Sequence, residues 1–74
     1  MKFFYLCKLS DGGHCVGFTD VYDALEVVQN LHFTHIRQAV KEFGGIFPVT
    51  VLDSDFKPLC VLHRNSVEYY KEVA

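Results

Sequence analysis

Two strand-like runs meet at Ser10-Asp11-Gly12-Gly13, and this junction constrains the fold more than any other feature of the sequence. Asp-Gly and Gly-Gly supply the positive φ angles that tight hairpin turns need. The flanking runs, Phe3 to Leu9 and His14 to Phe18, are rich in aromatic and apolar residues and read as paired strands. With a two-residue turn at Asp11-Gly12, Cys7 faces Val16 and Tyr5 faces Phe18. With the turn at Gly12-Gly13, Cys7 faces Phe18. Side chains alternate with period two, so either turn gathers Phe3, Tyr5, Cys7 and Leu9 with Val16 and Phe18 on one face. That face is the expected core. The other face carries Phe4, Leu6, Lys8 and Cys15, and is apolar where water is expected.

Thr19 or Asp20 is placed to cap a helix, with Asp23 and Glu26 near its positive end. Val21, Ala24, Leu25, Val28 and Leu31 recur at helical spacing, and Gly44-Gly45 ends the helical region. One helix from Asp20 to Phe43 would run about 36 Å. A seven-residue strand spans about 23 Å. A chain of this length folds to roughly 30 Å across. The apolar stripe also rotates, with Ile36, Ala39, Val40 and Phe43 to one side of the first set. These mismatches predict a break near Asn30 to Phe33, with Thr34 capping a second helix.

Ile46 to Asp53 reads as a strand, and Pro48 marks an edge or the strand's start because it cannot donate to a ladder. Asp53-Ser54-Asp55 forms a turn, and Leu59 to His63 returns as the second hairpin. Asn65 with Glu68 resembles a capping box for a short C-terminal helix. The expected fold is α+β: an antiparallel sheet of two β-hairpins, a broken central helical segment and a short C-terminal helix, ββ-αα-ββ-α, in a single domain over residues 1–74. A folded-back helical pair would bring Asp11, Asp53 and Asp55 to one end.

A chain of 74 residues that is half hydrophobic, with seven Phe and four Tyr, has ample material for a core. It has more than one small core readily buries, and the surplus is expected at a surface or interface. The formal charge is -2, which argues against generic nucleic-acid or anionic-membrane binding. The first residues have neither the length nor the cleavage site of a signal peptide, and no stretch reaches membrane-helix length. Three cysteines without a framework fit a reducing, cytoplasmic setting, or the host cytoplasm for a viral protein.

The spacing of Cys60 and His63 sends their side chains to opposite strand faces, and Cys7 and Cys15 fall on opposite faces of their hairpin. His32 and His35 straddle the helix break. These placements predict no metal and no cofactor. No catalytic pair or phosphate loop is recognisable, so the chain reads as a non-enzyme. The second helix could present His35, Arg37, Gln38 and Lys41 to a DNA groove, which makes a small DNA-binding regulator the alternative reading.

The hairpin from Phe3 to Phe18, the capped helix after Thr19-Asp20 and the second hairpin from Ile46 to His63 together resemble the small phage-encoded inhibitors of host defence, anti-CRISPR proteins among them. The resemblance covers most of the chain in layout and size and carries no motif. It implies a non-catalytic protein that occludes a larger nucleic-acid-processing complex. The chemistry of the residues points the same way, to an inhibitor or adaptor acting by stoichiometric contact with a larger protein or nucleoprotein complex. The expected contacts are aromatic and apolar anchors at Phe4, Leu6, Tyr69 and Tyr70. Acids at Asp20, Asp23, Glu26, Asp53 and Asp55 would meet a basic rim. The apolar face with Phe4, Leu6 and Cys15 also predicts a homodimer, unless the terminal helix covers it.

Overall fold

The computed structural model describes residues 1–70. Strand β1 (Lys2–Leu9) and strand β2 (His14–Asp20) form the first hairpin. Helices α1 (Ala24–Val28) and α2 (Leu31–Glu42) follow, then strands β3 (Gly45–Leu52), β4 (Pro58–Leu62) and β5 (Val67–Tyr69). The five strands make one antiparallel sheet in the order β2-β1-β3-β4-β5. The α+β class and the antiparallel sheet match the expectation; the register, the tips and the C-terminal element do not.

The first correction is one of parity. Leu9 and Gly13 close the hairpin, with Leu9 N–H donating to the Gly13 carbonyl at 2.7 Å and Gly12 N–H donating to Leu9 at 3.0 Å. Three residues therefore lie in the loop, not two. Gly12, at φ 92, takes the left-handed position, and the Asp11 carboxylate accepts from Gly13 N–H at 2.8 Å. An odd loop shifts the register by one residue. Cys7 now faces Cys15, while Phe4 faces Phe18 and Leu6 faces Val16. Val16 and Phe18 thus leave the expected core face, and Cys15 joins it.

The helical segment is broken, one turn earlier than expected. Asn30 adopts φ 57 and is the N-cap of α2, so α2 runs through Phe33 and Thr34 lies inside it. Asparagine is among the non-glycine residues that visit this conformation most readily. A continuous 24-residue helix would have matched the molecule's longest dimension, 35 Å. The first cap is Asp23, whose Oδ1 accepts from Leu25 N–H at 2.8 Å, while Thr19 and Asp20 end β2. On α2, His32, Phe33, Ile36 and Val40 are buried at helical spacing. They pack on Phe3, Tyr5, Cys7, Val49, Val51, Cys60 and Leu62, which form the core under the helices.

Pro48 sits in the central strand of the sheet rather than at a sheet edge. The pairing of β3 with β1 shifts there, and β4 begins pairing only at Val49, so no ladder bond is lost to the proline. Because β1 and β3 are antiparallel neighbours, the Asp11 turn and the turn after β3 lie at opposite ends of the sheet. The shared-tip expectation for Asp11, Asp53 and Asp55 is therefore wrong. Asp20 ends β2 opposite Lys2, so it shares an end with Asp53 and Asp55.

No helix starts at Asn65. His63 N–H bonds Ser66 at 2.9 Å, and the chain returns as β5, with Val67 opposite Leu62 and Tyr69 opposite Cys60. The capping pattern is a local preference, whereas the open backbone groups of β4 need partners, and alternating Val67 and Tyr69 suit a strand. Residues 71–74 lie outside the described part.

Candidate binding surface

Both helices lie on one side of the sheet. The other side carries Phe4 and Leu6 from β1, Val16 and Phe18 from β2, and Thr50 and Leu52 from β3, as their cross-strand pairing requires. Among the described residues no helix covers this side. Leu6 is 42% exposed, Val16 61% and Phe18 58%. A shallow cavity of about 290 Å³ opens on the same side, lined in part by Leu6, Ile46, Pro48 and Thr50.

The turn after β3 completes the surface. Asp53 N–H donates to the Lys57 carbonyl at 2.9 Å, and Phe56 N–H donates to Asp53 at 3.0 Å. The Asp53 Oδ1 accepts from the Asp55 and Lys57 amides at 2.8 and 2.9 Å. This loop repeats the first one: Ser54-Asp55-Phe56 stands where Ser10-Asp11-Gly12 stands in the other hairpin. Phe56 occupies the glycine's place with φ 61. That conformation is costly for a bulky side chain. Its ring stacks on Phe4 with centroids 4.3 Å apart, and Phe18 lies tilted on Phe4's other side at 6.4 Å. Phe56 is nevertheless 57% exposed. Lys2 Nζ sits 4.9 Å from the Phe18 ring centroid and edges the patch with charge.

The expected contact residues do not form one surface. Phe4 and Leu6 lie on the open side. Tyr69 is exposed on β5, but its ring meets Phe33 edge-on at 6.4 Å, on the helix side. Tyr70, also exposed, donates its amide to Leu59. Among the acids, Asp20 pairs with the Met1 ammonium at 3.8 Å, Asp23 caps α1 and Asp53 organises its own turn. Glu26 lies in the first turn of α1, and Asp55 is exposed in the β3–β4 loop. Val16, Phe18 and Phe56 are the residues that sequence reasoning missed. The recurrence of Ser-Asp at 10–11 and 54–55 was the available signal for Phe56.

The side chains of the three cysteines and of His32 lie on the helix side, whereas His14 lines the open-side cavity. The Cys7 and Cys15 sulfurs are 2.8 Å apart on the helix side, correcting their expected separation. Burial, followed by the Cys15 contact, pushes the Cys7 thiol up to about 11, and burial alone lifts Cys60 to about 11. Such thiols stay protonated at neutral pH and are poor nucleophiles. His32 is buried between Phe3 and Phe33, with ring centroids at 4.3 and 4.0 Å, and its Nδ1 has no hydrogen-bond partner. Burial, then nearby His35, lowers its pKa. His63 Nε2 stands 3.4 Å from Glu68. Among the described residues no three His, Cys, Asp or Glu side chains converge.

A second concavity, about 460 Å³, lies between α2 and the β4–β5 turn, lined by Arg37, Gln38, Lys41, Phe47, Arg64 and Asn65 among others. Arg37 donates from Nε to the His63 carbonyl and from Nη2 to the Ser66 carbonyl, both at 3.0 Å. It is thus a strap holding the turn to the helix. Among the described residues, no helix is long and apolar enough to cross a membrane. No protein family, curated protein or solved structure matches the chain.

Proposed function

We propose that the chain acts by stoichiometric, non-catalytic contact with a larger protein, as an inhibitor or adaptor of the kind that small phage-encoded anti-defence proteins represent. The observation that carries this reading is the open side of the sheet, where Phe56 holds a strained backbone and an exposed ring against Phe4. Interfaces concentrate their energy in a few aromatic anchors ringed by polar groups. Phe4, Phe18 and Phe56 supply the anchors, with Leu6 and Val16 beside them. Lys2 and the acids Asp20, Asp53 and Asp55, at the same end of the sheet, supply a charged rim that sets on-rate more than affinity. The test is a titration of the partner captured from source or host cells. An effect that saturates at a fixed molar ratio supports the reading. An effect that persists at far substoichiometric amounts shows turnover and ends it.

The groove between α2 and the β4–β5 turn favours a second reading, a DNA-binding regulator, because Lys41 and Arg64 face the same concavity. Arg37 belongs to the fold, so the discriminating variants are Lys41→Glu and Arg64→Glu. The regulator loses DNA binding together with part of its salt dependence, and the contact protein keeps its partner.

A further inference from the structure

Strand β2 presents a bare edge of backbone groups. The Met1 and Val21 backbones exchange hydrogen bonds at 2.7 and 2.8 Å, and Leu9 donates to Gly13 at 2.7 Å. Bonded pairs alternate along an antiparallel ladder, so these two ends fix its phase. The odd-numbered residues of β2 bond to β1. The N–H and C=O groups of His14, Val16, Phe18 and Asp20 therefore point away from the sheet. β2 is the outermost strand, and among the described residues nothing pairs with its outer edge. Natural edges of this length are blunted by lysine, proline or a bulge, and β2 has none of these.

We infer that two chains join antiparallel through β2, with the two-fold axis at Gly17, to make one continuous sheet across the dimer. The sequence of the strand selects this register. Gly17 is the midpoint of His14–Asp20, so all seven residues find partners. His14 falls opposite Asp20 of the other copy, an imidazole donor against a carboxylate, once at each end. Val16 falls opposite Phe18 of the other copy, an aliphatic–aromatic pair of the kind that stabilises sheets. A shift of two residues either way loses the imidazole–carboxylate pairing, leaving Asp20 opposite Val16 or His14 opposite Phe18. In the matched register, four pairs each exchange two bonds, about eight in total.

The axis falls at a pair without hydrogen bonds, where backbones approach closest, and Gly17 is the residue that allows it. A Cβ at Gly17 would lie 2.2 Å from Tyr5 Cζ, so this position already admits no side chain. An apolar groove of about 400 Å³ opens on the helix side of β1 and β2, lined by Tyr5, Leu9, Cys15, Gly17 and Phe43 along with Val16 and Phe18, and the incoming strand would border it. The dimer leaves the bare side of both sheets open and joins the two patches, so it stands independently of the partner reading.

The test is sedimentation equilibrium of the full chain, paired with isotope-filtered NMR on a mixture of labelled and unlabelled chains. The expected result is a dimer with a cross-chain Gly17 Hα to Gly17 Hα signal. Val16→Pro removes an N–H that points outward and spares the β1 ladder. It should raise the dimer dissociation constant at least about tenfold. Should that variant misfold, His14→Glu sets like charges across the interface, while the new acid faces Lys8 within its own chain and spares the fold. It too should weaken the dimer, whereas Leu6→Lys, on the open side of β1, should not. A monomer at millimolar concentration overturns the inference. A dimer weakened by Leu6→Lys and untouched by Val16→Pro or His14→Glu overturns it as well.

Discussion

Phe56 and His32 are the two residues at which sequence preference and structure conflict most. At φ 61 the Phe56 backbone is strained by about 1–2 kcal/mol relative to a glycine there. Its stack on Phe4 returns about 0.5–1.5 kcal/mol. Phe56→Gly removes both and should leave the urea midpoint nearly unchanged. Phe56→Ala loses the stack and keeps the strain, so it should be the less stable variant by about 1 kcal/mol. An alanine variant more stable than the glycine variant would show that the turn holds no strain. His32 gives a pH signature. Its folded pKa lies below the ordinary 6.5 because burial disfavours the imidazolium. The unfolded chain therefore binds the proton more readily. Stability is full above 6.5 and is lost as pH falls through that value toward the lower folded pKa. His32→Phe should flatten the fall in urea midpoint between about pH 7.5 and 5.5. An unchanged slope would assign the pH dependence to other groups.

Among the elements, the Arg37 strap is the most exposed to test. Its two bonds to the His63 and Ser66 carbonyls hold the β4–β5 turn against α2. Arg37→Met should cost about 1–2 kcal/mol and speed amide exchange at Val67 and Tyr69 ahead of the rest of the sheet. Uniform exchange across all strands would mean that the strap does not act locally. The elements also show where the sequence was legible. The strands and the sheet class followed from periodicity and turn residues, and the helix break from the rotation of the apolar stripe. Register did not, because Ser10-Asp11-Gly12-Gly13 admits two- or three-residue loops, and one residue exchanges the faces of Val16, Phe18 and Cys15. The break was displaced because Asn30, not Thr34, supplies the left-handed residue that separates the helices. The C-terminal helix failed because the pattern at Asn65 and Glu68 is local, while the unpaired edge of β4 is a demand made by the whole sheet. The residue type of Phe56 hides its role, because Gly, Asn and Asp are the residues that announce a left-handed position, and only the repeated Ser-Asp before it marked the loop.

At the scale of the molecule, the apolar surplus noted in the sequence has a place. Helices cover one side of the sheet, and the other side is left with Leu6, Val16, Phe18 and Phe56 in water. Such a layout in a small domain fits a protein that works by contact. It also leaves two unlike surfaces: the apolar open side of the sheet, and the groove beside α2 with Lys41 and Arg64. The measurement that separates them is the affinity of the captured partner for Leu6→Lys and for Lys41→Glu, titrated side by side, with both variants shown folded by their amide spectra. The account predicts that Leu6→Lys, which buries a charge among the anchors, weakens binding by more than about 30-fold, while Lys41→Glu binds as the unaltered chain does. Full affinity in Leu6→Lys with binding lost in Lys41→Glu would contradict it.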